Sequence, residues 1–101
     1  PTLSPKGLRR MGKAWAGPYT NAKDYRISPM FGELSYFRDV TLFTGTRELL
    51  HPDVVKFSEL LQGAGAETTL HVGNGLNHNY PLYDIPEAGG AMRQICEAIA
   101  R

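Results

Sequence analysis

Glu48 and His78 carry the two side chains of this chain best suited to share one proton transfer, and they stand thirty residues apart in matching contexts. Val40-Thr41-Leu42-Phe43-Thr44 runs into Gly45-Thr46-Arg47-Glu48, and Thr68-Thr69-Leu70-His71-Val72 runs into Gly73-Asn74-Gly75-Leu76-Asn77-His78. A carboxylate that accepts the Nδ1–H of a histidine holds the ring so that Nε2 faces a nucleophile. It also stabilises the imidazolium formed when Nε2 takes the nucleophile's proton. Histidine fits the task because its unperturbed pKa lies near working pH. His78 is therefore the candidate base and Glu48 the candidate acid. Asp53 competes for the acid's place from the following turn. Its position at the start of an apolar-periodic segment suits it to a cap or a helix-dipole partner, so Glu48 is preferred and Asp53 is the alternative.

The remaining reactive residue types offer less. His71 sits inside a strand-like run and His51 beside Pro52 at a helix start, and both read as structural. No two histidines have metal-ligand spacing, so we expect no metal. Gly73-Asn74-Gly75 lacks the third glycine of a dinucleotide fingerprint and leads into a proline-containing loop rather than a helix, so we expect no cofactor there. A tight turn that aims His78 explains it better. Ser4, Ser28, Ser35 and Ser58 lack the flanking glycines of a G-x-S-x-G elbow, and no H-G-G-G run offers an oxyanion hole. We therefore place no nucleophile in this chain. Cys96 lies in a helical pattern without a histidine motif and reads as a packed or inert thiol.

The elements that must position the pair follow from periodicity. Residues 1–18 read as a helix: Ser4 caps it, Pro5 opens it, Leu8, Met11 and Trp15 form an apolar stripe, and Gly17-Pro18 stops it. Residues 19–38 have no sustained period and read as a loop with at most one short helical turn. Residues 39–101 read as strand, helix, strand, helix. The strands Val40–Thr44 and Thr68–Val72 are apolar or β-branched on both faces, as in a covered parallel sheet. The helix Pro52–Gln62 between them turns Val54, Phe57, Leu60, Leu61 and Ala64 to one side, and Gly63 and Gly65 close it. Pro86 opens the last helix, whose Ala88, Met92, Ile95 and Ile99 form the expected buried stripe. A βαβ connection makes the strands parallel neighbours and brings both following loops to one end of the sheet. The fold class is α/β, with an incomplete sheet: two parallel strands need neighbours on their edges.

Composition sets the outer limits. A chain of 101 residues is one small domain at most. Its 42% hydrophobic content and mean hydropathy of −0.31 are those of a globular protein without a disorder signature. Net charge +1, from 11 basic and 10 acidic residues, gives no reason to invoke nucleic acid or an anionic membrane. Lys6, Arg9, Arg10 and Lys13 fit the wet face of one helix. No apolar run has the length of a membrane span. The single cysteine excludes an internal disulfide and fits a reducing, cytoplasmic compartment. The chain begins at Pro1, and truncation is the expected origin of that end.

These motifs together resemble one family. Tyr25-Arg26-Ile27-Ser28-Pro29 is similar to a Y-x-S-P segment, and Val40 to Glu48 is similar to the strand carrying the acid. Gly75-Leu76-Asn77-His78 resembles a G-M-x-H segment carrying the histidine, and Pro86-Glu87-Ala88 the opening of the last helix. All four occur, in this order, in the C-terminal portion of α/β-hydrolases of the hormone-sensitive-lipase-like esterase and acetyl-hydrolase family. The resemblance implies a serine carboxylic-ester hydrolase (esterase or lipase) with a Ser-His-Glu triad, a small ester as substrate and no cofactor. Glu48 stands where aspartate is commoner, which lengthens the acid's arm by one methylene. The resemblance also implies that serine and oxyanion hole belong to a missing N-terminal segment, to be supplied by that segment or a partner such as a second copy of the chain. By itself the chain is expected to be inactive. The alternative is an inactive remnant that serves only as an assembly module.

Overall fold

The computed structural model describes residues 4–18, 20, 21 and 23–100. Pro1, where truncation is expected, and Tyr19, at the head of the expected loop, lie outside the described residues. The first helix, α1, spans Pro5–Ala16. Ser4 Oγ accepts the Gly7 N–H at 3.1 Å, and Gly17 closes the helix at φ 77° with its N–H on the Lys13 carbonyl at 3.0 Å. A 3-10 turn, Pro29–Phe31, follows in the long connection. Strand β1, Asp39–Gly45, then leads to helix α2, His51–Gly63, and strand β2, Glu67–Gly73. After a second 3-10 turn, Tyr80–Leu82, helix α3 runs from Pro86 to Ala100.

β1 and β2 pair in parallel, with Asp39 opposite Glu67 and Gly45 opposite Gly73, in a sheet of two strands among the described residues. The alternation of side chains divides this ribbon into two faces. Val40 and Leu42 turn to α2, where Leu61, fully buried, forms the core with Leu34 and Ala66, flanked by Phe57 and Leu60. Thr41, Phe43, Thr69 and His71 turn to the other face, where Gln94, Ile95 and Glu97 of α3 stand. Phe43 stacks on its register partner His71 with ring centroids 4.7 Å apart.

Three expected packing arrangements differ. The Leu8–Met11–Trp15 stripe meets no core: α1 buries no residue, and Trp15 is 77% exposed. Of the α3 stripe only Ala88 is buried, while Met92 is exposed and Ile99 is 79% exposed. β1 is fully buried only at Thr44 and Gly45. The first of these has a geometric reason. Strands lie about 4.8 Å apart, so two of them make a ribbon about as wide as a single helix, roughly 10 Å across with its side chains. Each face has room for one helix, and a third has no sheet to cover.

Candidate active site

The pair forms where β1 and β2 end side by side. Glu48 closes a turn on the last residue of β1, its N–H bonding to the Gly45 carbonyl at 3.0 Å. The following loop meets it directly. Thr46 N–H donates to the Gly73 carbonyl at 3.0 Å, Arg47 N–H to the Leu76 carbonyl at 3.1 Å, and Gly75 N–H to Thr46 Oγ1 at 2.7 Å. A tight turn closed by Leu76 N–H on the Gly73 carbonyl, with Gly75 at φ 74°, then aims the chain at His78. Beyond it Tyr80, 5% exposed, sets its ring edge against Phe43 with centroids 6.5 Å apart and anchors the loop to the sheet.

The structure brings Glu48 and His78 together: His78 Nδ1 lies 2.7 Å from Glu48 Oε1. Glu48 Oε2 accepts the Thr44 hydroxyl at 2.8 Å and the Gly45 N–H at 3.2 Å. Burial by itself would raise the Glu48 pKa. The bonds from His78, Thr44 and Gly45 outweigh it, and the carboxyl lies below its ordinary value. An ionised carboxylate only accepts, so His78 Nδ1 carries a hydrogen and Nε2 is the ring nitrogen turned away from Glu48. The His78 side chain is 34% exposed and that of Glu48 5%, so the carboxylate is shielded and the ring reachable. Both border a cavity of about 370 Å³ whose wall includes Phe43, Val54, Tyr80, Leu82 and Ile95. No serine lines it.

The other candidates lie apart from this contact. Asp53 is exposed in the first turn of α2, a position that complements the helix dipole. His71 is held in β2 by its stack on Phe43. His51, read from sequence only as a helix-start residue, instead places Nδ1 3.1 Å from Thr44 Oγ1. Thr44 and Gly45, both donors to the acid, are the residues that sequence reasoning missed. The available signal was a hydroxyl four residues before the acid at a strand end, the reach of one turn.

The depressed Glu48 pKa makes a stability prediction. A carboxyl whose folded pKa lies below its unfolded value contributes stability that is full above the unfolded value, near 4.5, and lost as pH falls through the folded value. Urea midpoints measured from about pH 7 to about pH 3 are expected to fall below pH 4.5, and Glu48→Gln to remove part of that fall. An unchanged slope in the variant would contradict the charge-stabilising bonds drawn above.

Residues 1–82 match the model of a protein family described as alpha/beta hydrolase fold. A solved protein from Staphylococcus aureus, described provisionally as an esterase, superposes at a TM-score of 0.88 with 29% identity, over 98% of this chain and 33% of its own. The esterase E25 superposes at 0.71 with 32% identity, over 74% of this chain and 24% of its own. A hyperthermophilic esterase from the archaeon Pyrobaculum calidifontis shares the fold at 0.72 with 24% identity, over 77% of this chain and 26% of its own. The chain thus spans about a third of the first structure's length and about a quarter of the other two. No curated protein matches the sequence. Among the described residues no helix is long and apolar enough to cross a membrane, and no cluster of three metal-ligating side chains occurs.

Proposed function

The chain belongs to the alpha/beta hydrolase fold family, and on that premise we propose that it is the acid-and-histidine portion of a serine carboxylic-ester hydrolase. The observation that carries the proposal is the 2.7 Å contact between His78 Nδ1 and a shielded Glu48 carboxylate. In this reading a serine on polypeptide outside these 101 residues attacks the ester carbonyl. His78 Nε2 takes its proton and returns it to the leaving alcohol, and water then hydrolyses the acyl-enzyme by the reverse route. Glu48 holds the ring and stabilises its cation. The Staphylococcus aureus protein and the esterase E25, each described as an esterase, support ester hydrolysis as the reaction class. The exposed Trp15 and the two-stranded sheet also fit a second reading, an assembly module without activity of its own.

Turnover of p-nitrophenyl acetate separates the two. The isolated chain is expected to react no faster than free imidazole, with His78→Ala unchanged. Adding a hydrolase segment that carries G-x-S-x-G is expected to produce turnover that depends on His78. A His78-dependent rate in the isolated chain would mean that it holds a nucleophile after all. Binding of that segment without turnover would favour the assembly module.

A further inference from the structure

We infer that His51 is a positioning residue for the Glu48–His78 pair, acting on the carboxylate through the Thr44 hydroxyl. The inference rests on reading that pair as acid and base, but its geometry stands independently. Thr44 Oγ1 lies 2.8 Å from Glu48 Oε2 and 3.1 Å from His51 Nδ1, and it has one proton to give. If that proton went to His51, two oxygens with lone pairs would face each other at 2.8 Å inside a shielded site. Given to the carboxylate, it makes a charge-assisted bond, the stronger of the two choices. The Thr44 lone pair then faces His51, so His51 Nδ1 must carry a hydrogen. The bonds run in one direction: His51 Nδ1–H to Thr44, Thr44 O–H to Glu48 Oε2, and His78 Nδ1–H to Glu48 Oε1.

Water does not replace the first of these at no cost. Thr44 is 1% exposed, and an acceptor without a donor in such a place is unfavourable. The His51 backbone is in turn anchored. His51 is the first residue of α2, and its N–H bonds to the Glu48 carbonyl at 3.2 Å. The helix start thereby sets the rotation of the Thr44 hydroxyl, and the hydroxyl sets the plane of the carboxylate that His78 reads.

Nitrogen NMR of the 101-residue chain with labelled histidine tests this without any ester assay. His51 is expected in the Nδ1–H tautomer, the minor form of a free histidine in water, and Thr44→Val is expected to release it to Nε2–H. His51→Phe should speed solvent exchange of the His78 Nδ1 proton about five-fold, the size of one neutral hydrogen bond. His51→Asn, whose amide nitrogen falls where Nδ1 sits, should restore the slow rate. The double variant Thr44→Val with His51→Phe should match Thr44→Val alone, because one route carries the effect. An Nε2–H tautomer in the unsubstituted chain, or a His51→Phe effect that persists without the Thr44 hydroxyl, would overturn the inference. Absence of ester turnover after a segment carrying G-x-S-x-G is added would sink the functional reading and leave these outcomes untouched.

Discussion

Glu48→Gln is expected to lower kcat for ester hydrolysis by about four orders of magnitude in the complemented enzyme, although it changes one atom and little volume. The size follows from which way the new amide must face. Thr44 O–H and Gly45 N–H both donate to the Oε2 position, so the amide oxygen belongs there. Its NH₂ is then left pointing at His78 Nδ1, in the place of the oxygen now 2.7 Å away. His78 Nδ1 must accept, the ring proton moves to Nε2, and the nitrogen that should act as base becomes a donor. His78→Ala removes the base itself and is expected to cost as much or more, about four to six orders of magnitude. KM should change little in either variant, since neither side chain is needed to hold the ground-state ester. Glu48→Asp keeps the charge and shortens the arm, and an intermediate loss is expected. Steady-state kinetics on the three variants check the ordering, and a Glu48→Gln enzyme within about ten-fold of the parent would refute the tautomer argument.

Gly45→Ala is expected to destabilise the fold by about 3–5 kcal/mol, a large share of what a domain of this size possesses. A Cβ at Gly45 would collide with the Leu76 carbonyl, with the Asn77 carbonyl behind it. The obstacle is backbone, and it cannot retreat freely, because the Leu76 carbonyl also accepts the Arg47 N–H at 3.1 Å. Relief requires parting the two loops, which separates Glu48 from His78 as well. Gly12→Ala is the control: it lies inside α1 with open space around it and is expected to stabilise by about 0.5–1 kcal/mol. Urea unfolding of both variants measures the contrast, and equal midpoints would show that the loops can separate without cost.

The sequence by itself determined what local rules control. Ser4 and Gly17 bound α1 because a hydroxyl and a residue tolerant of positive φ satisfy orphaned helix groups wherever they occur. The pairing of Glu48 with His78 was legible because both follow strands joined by one helix, and parallel neighbours deliver their loops to the same end. Tertiary structure alone decided which periodic faces are covered. Periodicity tells that Leu8, Met11 and Trp15 share a side, or that Met92 and Ile99 do. It does not tell whether a surface lies opposite, and a ribbon of two strands takes only one helix on each face. Tertiary structure also decided what sits behind the acid. Thr44 and His51 are seven residues apart and belong to a strand end and a helix start. Their bond depends on the angle at which α2 leaves the turn, and no spacing rule encodes that angle. The contact of Gly45 with Leu76 likewise exists only once two loops more than thirty residues apart have closed on each other. Chemistry that depends on residue type and strand order can be read along the chain. Chemistry that depends on how closely two backbones approach is settled only when they pack.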